Sequence, residues 1–402
     1  MKAIKVCFVT REYSHKHMGK SGGIGVFLKQ FTEQLKDCNY DITIFSFGDS
    51  SIRFDDDGVN VVKIKDLSAF NVWVREPFRR YKLPGYVTLK LILEFFNRLY
   101  VSLYASVFVW KHQFDLIEFH DYGGDAPYFT GRLPKVVRCH GTALTLHQFM
   151  GYVNRVADSV FEKQFFKRFH QHVIAVSHYS ADTTQQAFGL AEKPKVIYNG
   201  VRVPNLLDGR YYLDAPTLPF SVFYFGSIRE RKGIDIACKV FNTIIDRFPE
   251  ASFHVMGNNN NDHWHTQAVK ILTPDALQHT TYYGAIPNEH INVYLQKAHV
   301  VLFPSFGENF SIALLEVMAL GKLAITSNIP AFHEIIKDQY NGFIASSFED
   351  YIEIVTDIFN NKIDLDPVSQ HARSTIVESF ESKLILQQNV DYYTKIIALE
   401  KR

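Results

Sequence analysis

Short apolar runs alternate with amphipathic helical patterns along most of this chain, and that alternation admits few folds. The second half shows it best. A strand over Ser221–Phe225 leads through a Gly/Arg/Lys loop into a helix with Ile234, Ala237, Val240, Phe241, Ile244, Ile245 and Phe248 on one face. Further strands are predicted at Ser252–Met256, Thr281–Tyr283, Val300–Phe303, Leu323–Thr326 and Gly342–Ala345, with helical patterns between them. Strands alternating with helices argue for a parallel sheet covered on both faces. The first half repeats the theme. A strand at Ile4–Thr10 is followed by a long loop, then by Gly22-Gly23-Ile24-Gly25, and then by a helix marked by Ile24, Phe27, Leu28, Phe31 and Leu35. Phe114–Phe119, Lys135–Cys139 and His172–Val176 read as buried parallel strands. The stretch 203–219, with Pro204, Pro216 and Pro219, separates the two halves. The expectation is an α/β chain of two Rossmann-like domains, 1–205 and 206–378, with a helical tail over 379–402. In such sheets ligands gather at the carboxyl ends of the strands, so the loops after the strands are where chemistry is expected.

Composition narrows the function. Hydrophobic residues make up 47% of 402, enough for sizeable cores, and the length suits about two domains at ~150–200 residues each. A formal net charge of +1 lacks the broad basic field of a nucleic-acid binder. Cys7, Cys38, Cys139 and Cys238 are widely spaced, with no CxxC pair, and MKAIKVCFVT does not read as a secretory leader. Both features point to the cytoplasm. No segment reads as a membrane span. The longest uncharged run, Leu99 to Trp110, is about half of the ~20 residues a span needs and reads as a buried helix. Just before it, NVWVREPFRRYKLPGYV mixes aromatics with Arg75, Arg79, Arg80 and Lys82. It reads as a solvated loop or as a surface that could rest on an anionic membrane.

The most informative stretch runs from Phe303 to Gly321. It begins as a strand, turns at Gly307, and becomes a helix capped by Asn309 or Ser311 and stopped at Gly321. A helix N-terminus offers free N–H groups and a positive dipole end, a seat for phosphate. Glu308 precedes that seat. Glu316 lies inside a helix that is apolar on every side, where a carboxylate needs donors such as sugar hydroxyls or an internal cation.

Two glutamates separated by seven residues, preceded by Pro-Ser and followed by Met-Ala-Leu-Gly, resemble the signature of the family 4 retaining glycosyltransferases, which have the GT-B fold. The resemblance extends in order over about 340 residues. It takes in Gly22-Gly23, Asp115-Leu-Ile-Glu-Phe-His-Asp, Val137-Arg-Cys-His140-Gly141, Ile174-Ala-Val-Ser177, Tyr198-Asn199-Gly200-Val201, and Glu334 before Asn341-Gly342-Phe343. It implies that Glu308 contacts donor-sugar hydroxyls and Glu316 the nucleotide ribose. Backbone N–H groups around Asn309, Phe310 and Ser311 would face the diphosphate, with Gly23 in the N-terminal glycine loop also on the donor. Lys232 would neutralise the diphosphate as charge develops on it, and His140 would reach the transferred sugar. A structural histidine is the competing reading for His140. One departure stands out: the family commonly carries Gly-Arg where this chain has Gly226-Ser227, so the second cation falls to Arg231 or Arg229, with Arg231 preferred. The resemblance further implies a cleft between the domains, with donor on the C-terminal side and acceptor on the N-terminal side, and a tail crossing back to the first domain. No resident cofactor is expected. The donor is a nucleotide-sugar, UDP-linked in preference to GDP-linked, and the acceptor a glycan or lipid-linked glycan, with cytoplasmic work at the inner face of the membrane.

Metal ligands are not evident. Asp55-Asp56-Asp57-Gly58 reads as a polar turn between extended segments, and His254, Asp262, His263 and His265 as part of a solvated loop beside Asn258–Asn261. Gly22-Gly23-Ile24-Gly25 is not G-x-G-x-x-G and lies too far from the preceding strand for a dinucleotide turn. Two other activities fit the same fold: a nucleotide-sugar epimerase, and a non-catalytic subunit that binds a partner or glycan.

Overall fold

The structure, a computed structural model, describes residues 3–19, 22–204, 220–259 and 262–400. Contacts divide the chain into Met1–Asn199 with Ile385–Arg402, and Gly200–Leu384. The division expected at 205/206 lies outside the described residues, as do Pro216, Pro219 and two of the four asparagines at 258–261.

The first unit contains β1 (Ile4–Val9), β2 (Tyr40–Gly48), β3 (Ile52–Asp56), β4 (Val59–Lys65), β5 (Leu116–His120), β6 (Lys135–Cys139), β7 (Val173–Ala175) and β8 (Lys195–Val196). They form one sheet in the order β3-β4-β2-β1-β5-β6-β7-β8, parallel except for the β3/β4 hairpin. That hairpin turns on Asp57 and Gly58, both with positive φ, which is the Asp-Gly chemistry of a tight hairpin. The order reverses between β1 and β5, making a switch point there.

The second unit contains β9 (Ser221–Phe225), β10 (Ser252–Met256), β11 (Thr280–Gly284), β12 (Val300–Phe303), β13 (Leu323–Ser327) and β14 (Phe343–Ala345). All are parallel, in the order β11-β10-β9-β12-β13-β14. The order reverses between β9 and β12, whose register pairs Leu302 with Tyr224, so the loops leaving these two strands start side by side. The helix Ile234–Arg247 buries Ile234, Ala237, Val240, Phe241, Ile244 and Ile245 against Val222, Val255 and Val300, because its apolar positions recur on one face.

Two sequence expectations need correction. The stretch read as a solvated loop is helical over Ser68–Arg80, with Pro77 tolerated inside it. The run read as a buried helix belongs to a longer helix, Tyr86–His112, and among the described residues this is the one helix long and apolar enough to cross a membrane. Only its inner face is buried, through Asn97, Arg98, Val101, Ser102, Ala105, Phe108 and Val109.

The terminal helix Ser382–Glu400 packs into the first unit through a buried polar network. Arg138 on β6 meets Glu118 on β5 through two bonds, Nε to Oε1 at 2.7 Å and Nη2 to Oε2 at 3.1 Å. From the helix, Asn389 Oδ1 accepts from Arg138 at 2.6 Å and the Tyr393 hydroxyl donates to Glu118 at 2.6 Å.

Candidate functional site

The second unit gathers its titratable groups at the β9/β12 switch point. After β9, the chain turns through Gly226 and Ser227, makes a short 3-10 turn over Glu230–Lys232, and enters the helix at Ile234. The Tyr224 hydroxyl ties this loop down, with the Ser227 carbonyl at 3.0 Å and the Lys232 carbonyl at 3.3 Å as its acceptors. Gly233 is required there: its φ is +72°, and a Cβ would lie 1.9 Å from the Pro304 carbonyl oxygen. Phe306 N–H donates to the Arg231 carbonyl at 2.9 Å, so the β9 and β12 loops are locked together by backbone contacts.

That locking brings Lys232 and Glu308 into direct contact. The Lys232 ammonium forms an ion pair with Glu308 Oε1, which also accepts from Ser305 Oγ at 3.0 Å. Both bonds fall on Oε1, and Oε2 accepts none from the described residues. Burial pulls the Lys232 pKa below its ordinary value, against the pull of Glu308, and the charges of Arg231 and Arg229 lower it further. Arg231 is half-buried and Arg229 exposed, and Arg231 has the larger effect on Lys232.

The helix that follows spans Ile312–Ala319, and its cap is Ser311, whose Oγ accepts from Leu314 N–H at 3.4 Å. Asn309 is therefore not the cap; it sits half-buried two residues earlier, while Phe310 packs its ring 5.7 Å from Phe380. The N–H groups of Ile312 and Ala313 precede the first intrahelical bond and face out of the helix end. This helix is not closed on every side as its composition suggested. Leu314, Leu315, Val317 and Met318 are buried, but Ile312, Ala313 and Glu316 share a half-open stripe. Glu316 has no hydrogen bond or ion pair among the described residues, and burial of its carboxyl raises the pKa to about 7. Of the two partners the sequence allowed for this carboxylate, sugar hydroxyls or an internal cation, no cation lies on it among the described residues.

In the first unit, His140 directly follows β6 and is half-buried. Its N–H and that of Gly141 donate to the two Asp121 oxygens, each at 3.0 Å. Burial, helped by His120 and Arg138, holds the His140 pKa well below the usual imidazole range, so the ring is neutral at pH 7. The His120 ring stands edge-on, 4.9 Å away. Asp121 and Glu162 hold this loop, and no local pattern in the sequence singles out Glu162. Its carboxylate accepts from Gly123 and Ala143 N–H on one oxygen, at 2.9 and 2.8 Å, and from Leu144 N–H on the other at 3.0 Å. Burial lifts Asp121 to about 6 and Glu162 to about 7, even though these N–H bonds pull both down. Gly22 caps the helix Gly23–Leu35 without a side chain and donates its N–H to Glu12 at 2.9 Å, leaving Gly23 exposed with open space around it.

The candidate metal ligands go to separate partners. Asp56 accepts from the Tyr13 hydroxyl at 2.7 Å and pairs with Lys29, while Asp55 accepts from Gly58 N–H at 2.9 Å in the hairpin turn. His254 bonds Ser252 and Tyr283, His263 pairs with Asp235, and His265 with Asp262. Among the described residues no group of three or more His, Cys, Asp or Glu could hold a metal ion.

Comparison with known proteins adds the lineage. Residues 21–203 match the family model for Glycosyltransferase Family 4, and residues 213–375 that for glycosyl transferases group 1. A phosphatidylinositol N-acetylglucosaminyltransferase subunit from Arabidopsis thaliana is 23% identical over 229 residues, 56% of this chain and 48% of that one. The phosphatidyl-myo-inositol mannosyltransferase of Mycolicibacterium smegmatis is 27% identical over 148 residues, 35% of this chain and 37% of that one. The match thus spans half or less of these two relatives. Among solved structures, sucrose-phosphate synthase from Thermosynechococcus elongatus aligns with a TM-score of 0.74 at 15% identity, covering 98% of this chain and 100% of that one. The Anabaena protein HepE, solved with UDP and glucose, gives 0.69 at 18% identity, covering 97% and 99%. At these identities the likeness to both structures concerns the fold.

Proposed function

The chain belongs to the family 4 glycosyltransferases and has their GT-B fold, and we propose that it is a retaining, metal-independent member using a nucleotide-sugar donor. The observation that carries this reading is the Lys232–Glu308 pair at the β9/β12 switch point, beside the N-terminus of the helix Ile312–Ala319. In this reading the donor diphosphate lies against Lys232 and the N–H groups after Asn309 and Phe310, with Arg231 as the second cation in place of the family arginine absent at Ser227. Glu308 Oε2 takes a sugar hydroxyl and Glu316 takes the ribose hydroxyls, while His140, neutral at pH 7, and Gly23 keep the donor-side roles that the family resemblance gives them.

The sugar–oxygen bond to the diphosphate breaks with its electron pair going to phosphate, and Lys232 meets the charge that develops there. The acceptor hydroxyl attacks the same face of the sugar and gives its proton to the departing phosphate oxygen. No metal is needed when a lysine, an arginine and a helix end share that charge. UDP is favoured as the carrier; the UDP-bound Anabaena neighbour lends support. A lipid-linked acceptor is favoured because the two relatives described above carry phosphatidylinositol in their transferase names. Four free cysteines agree with work in the cytoplasm.

Proton NMR of early turnover with UDP-sugars tests the stereochemistry. Retention of the donor's anomeric configuration, unchanged in excess chelator, is expected. Inversion, or activity lost to chelator and restored by manganese, overturns the reading.

Glu316 gives a pH prediction. Its carboxyl holds a proton up to about pH 7, whereas ribose hydroxyls donate best to the ionised form. Nucleotide-sugar affinity should therefore rise with pH up to about 7 and then level off, measured with a donor whose diphosphate does not titrate in that range. Glu316→Gln should weaken binding and flatten the rise. The same raised pKa costs folding stability as pH climbs from the unfolded value of 4.5 through about 7, since the unfolded chain ionises first. The variant's melting temperature should fall less than the parent's across that window.

A further inference from the structure

The helices Ser68–Arg80 and Tyr86–His112 form a hairpin, tied by Asn71 Nδ2 to the Leu93 carbonyl at 3.1 Å and by the Arg75–Glu94 pair at 3.4 Å. The longer helix carries an apolar stripe on its outer face, in addition to the residues it buries on its inner one. Ile92, Phe96, Tyr100, Leu103, Val107 and Trp110 recur at spacings of three and four, and all are exposed, Trp110 by 79% and Val107 by 62%. At 1.5 Å per residue this stripe runs about 27 Å. The shorter helix adds Phe70 and Trp73, the latter 73% exposed. An apolar stripe of this length on a folded unit marks an interaction surface.

Charge identifies the occupant. Residues 68–112 carry seven Lys and Arg against two Glu, in a chain whose net charge is +1. Arg79, Arg80 and Lys82 stand exposed at the turn of the hairpin and Lys111 at the far end of the stripe. Only Arg79 of these four has a carboxylate partner among the described residues, Glu76. A second copy docking face to face would set this excess against itself. An anionic surface would complement it. The exposed Trp and Tyr side chains, apolar with a polar edge, suit a membrane interface.

We infer that this hairpin is a docking surface for an anionic lipid bilayer, with the Ile92–Trp110 stripe entering the acyl boundary and Arg79, Arg80, Lys82 and Lys111 meeting lipid phosphates. The helix lies along the surface and does not span it. Its inner face holds Arg98, 1% exposed, bonded to Glu94, Asp158 and the Gly123 carbonyl, and insertion across a bilayer would strip that network. This inference does not rest on the transferase reading.

The test uses the full chain and vesicles of phosphatidylcholine alone or mixed in equal parts with phosphatidylglycerol. Binding to the mixed vesicles is expected to be ~10–100-fold tighter and to weaken with added salt. Trp73 and Trp110 are exposed and Trp264 is buried, so tryptophan emission should shift to the blue and be quenched by brominated acyl chains. Combined Phe96→Ser, Leu103→Gln and Trp110→Ser should abolish binding, and Arg79→Glu with Arg80→Glu should erase the preference for phosphatidylglycerol, both with parental melting. Equal binding to both vesicles, absence of quenching, or parental binding by either variant would overturn the inference. So would self-association in lipid-free sedimentation that the triple variant removes.

Discussion

Glu308→Gln should lower kcat by about 10²–10³-fold while leaving the melting temperature within a few degrees of the parent. The glutamine is isosteric and can still accept from Ser305 at 3.0 Å, so the loop after β12 keeps its shape. What disappears is the charge opposite Lys232, the partner that aims the ammonium at the switch point. In the parent, burial lowers the Lys232 pKa and Glu308 pulls it back up, so loss of the carboxylate charge removes the group that holds the ammonium in place as diphosphate charge develops. The loss should fall on kcat more than on KM, since the interaction strengthens in the transition state. Lys232→Met should behave alike. The double variant should lose little more than either single one, because the two side chains act as a unit. Retention of more than a tenth of parental activity by Glu308→Gln would remove this pair from the chemistry.

Glu118→Ala should produce the largest loss of stability, about 3–5 kcal/mol, by leaving Arg138 buried without its counter-charge. Both side chains are 0% exposed, and among the described residues Arg138 Nη1 already lacks a partner. The same change strips the Tyr393 hydroxyl of its acceptor, so the hold of the terminal helix on the first unit should loosen as well. For a unit of this size the melting temperature should fall by roughly 6–20 °C. Glu118→Leu combined with Arg138→Met should recover most of the loss, since an apolar pair removes the uncompensated charge. A melting temperature unchanged in Glu118→Ala would show that the network contributes little to folding.

The second sheet is almost completely legible in the sequence, because each of its parallel strands is a short apolar run between clear helices. Ser221–Phe225, Ser252–Met256 and Val300–Phe303 match β9, β10 and β12 residue for residue. In the first sheet, β2 is buried along nearly its whole length, but Asp41, Thr43 and Ser46 break its apolar run, so it shows neither a continuous run nor a strict alternation. The motif around Glu308 is legible because strand, glycine turn and capped helix are local features. Its contact with Lys232, 76 residues away, follows from strand order, which local pattern does not encode. The openness around Glu316 is hidden for a related reason. An all-apolar composition does not say which stripe of a helix is left uncovered by the sheet. The outer face of Tyr86–His112 misleads in the same way, since hydrophobicity alone does not establish burial. Glu162 and the Arg138–Glu118–Tyr393 network join residues up to 275 positions apart and leave no local signature.

A nucleotide-sugar site in the second unit, built on Lys232, Glu308 and Glu316, is tested most directly by the thermal shift of the purified chain. The ligands are UDP, GDP, ADP and their sugar conjugates, with and without chelator. A ligand at about 100 times its dissociation constant stabilises the fold by roughly 2.7 kcal/mol, which is readily seen. A selective response to UDP and its conjugates, insensitive to chelator and reduced in Glu316→Ala without loss of basal stability, is the predicted result. A flat panel, or a response that the Glu316 variant leaves untouched, would contradict it.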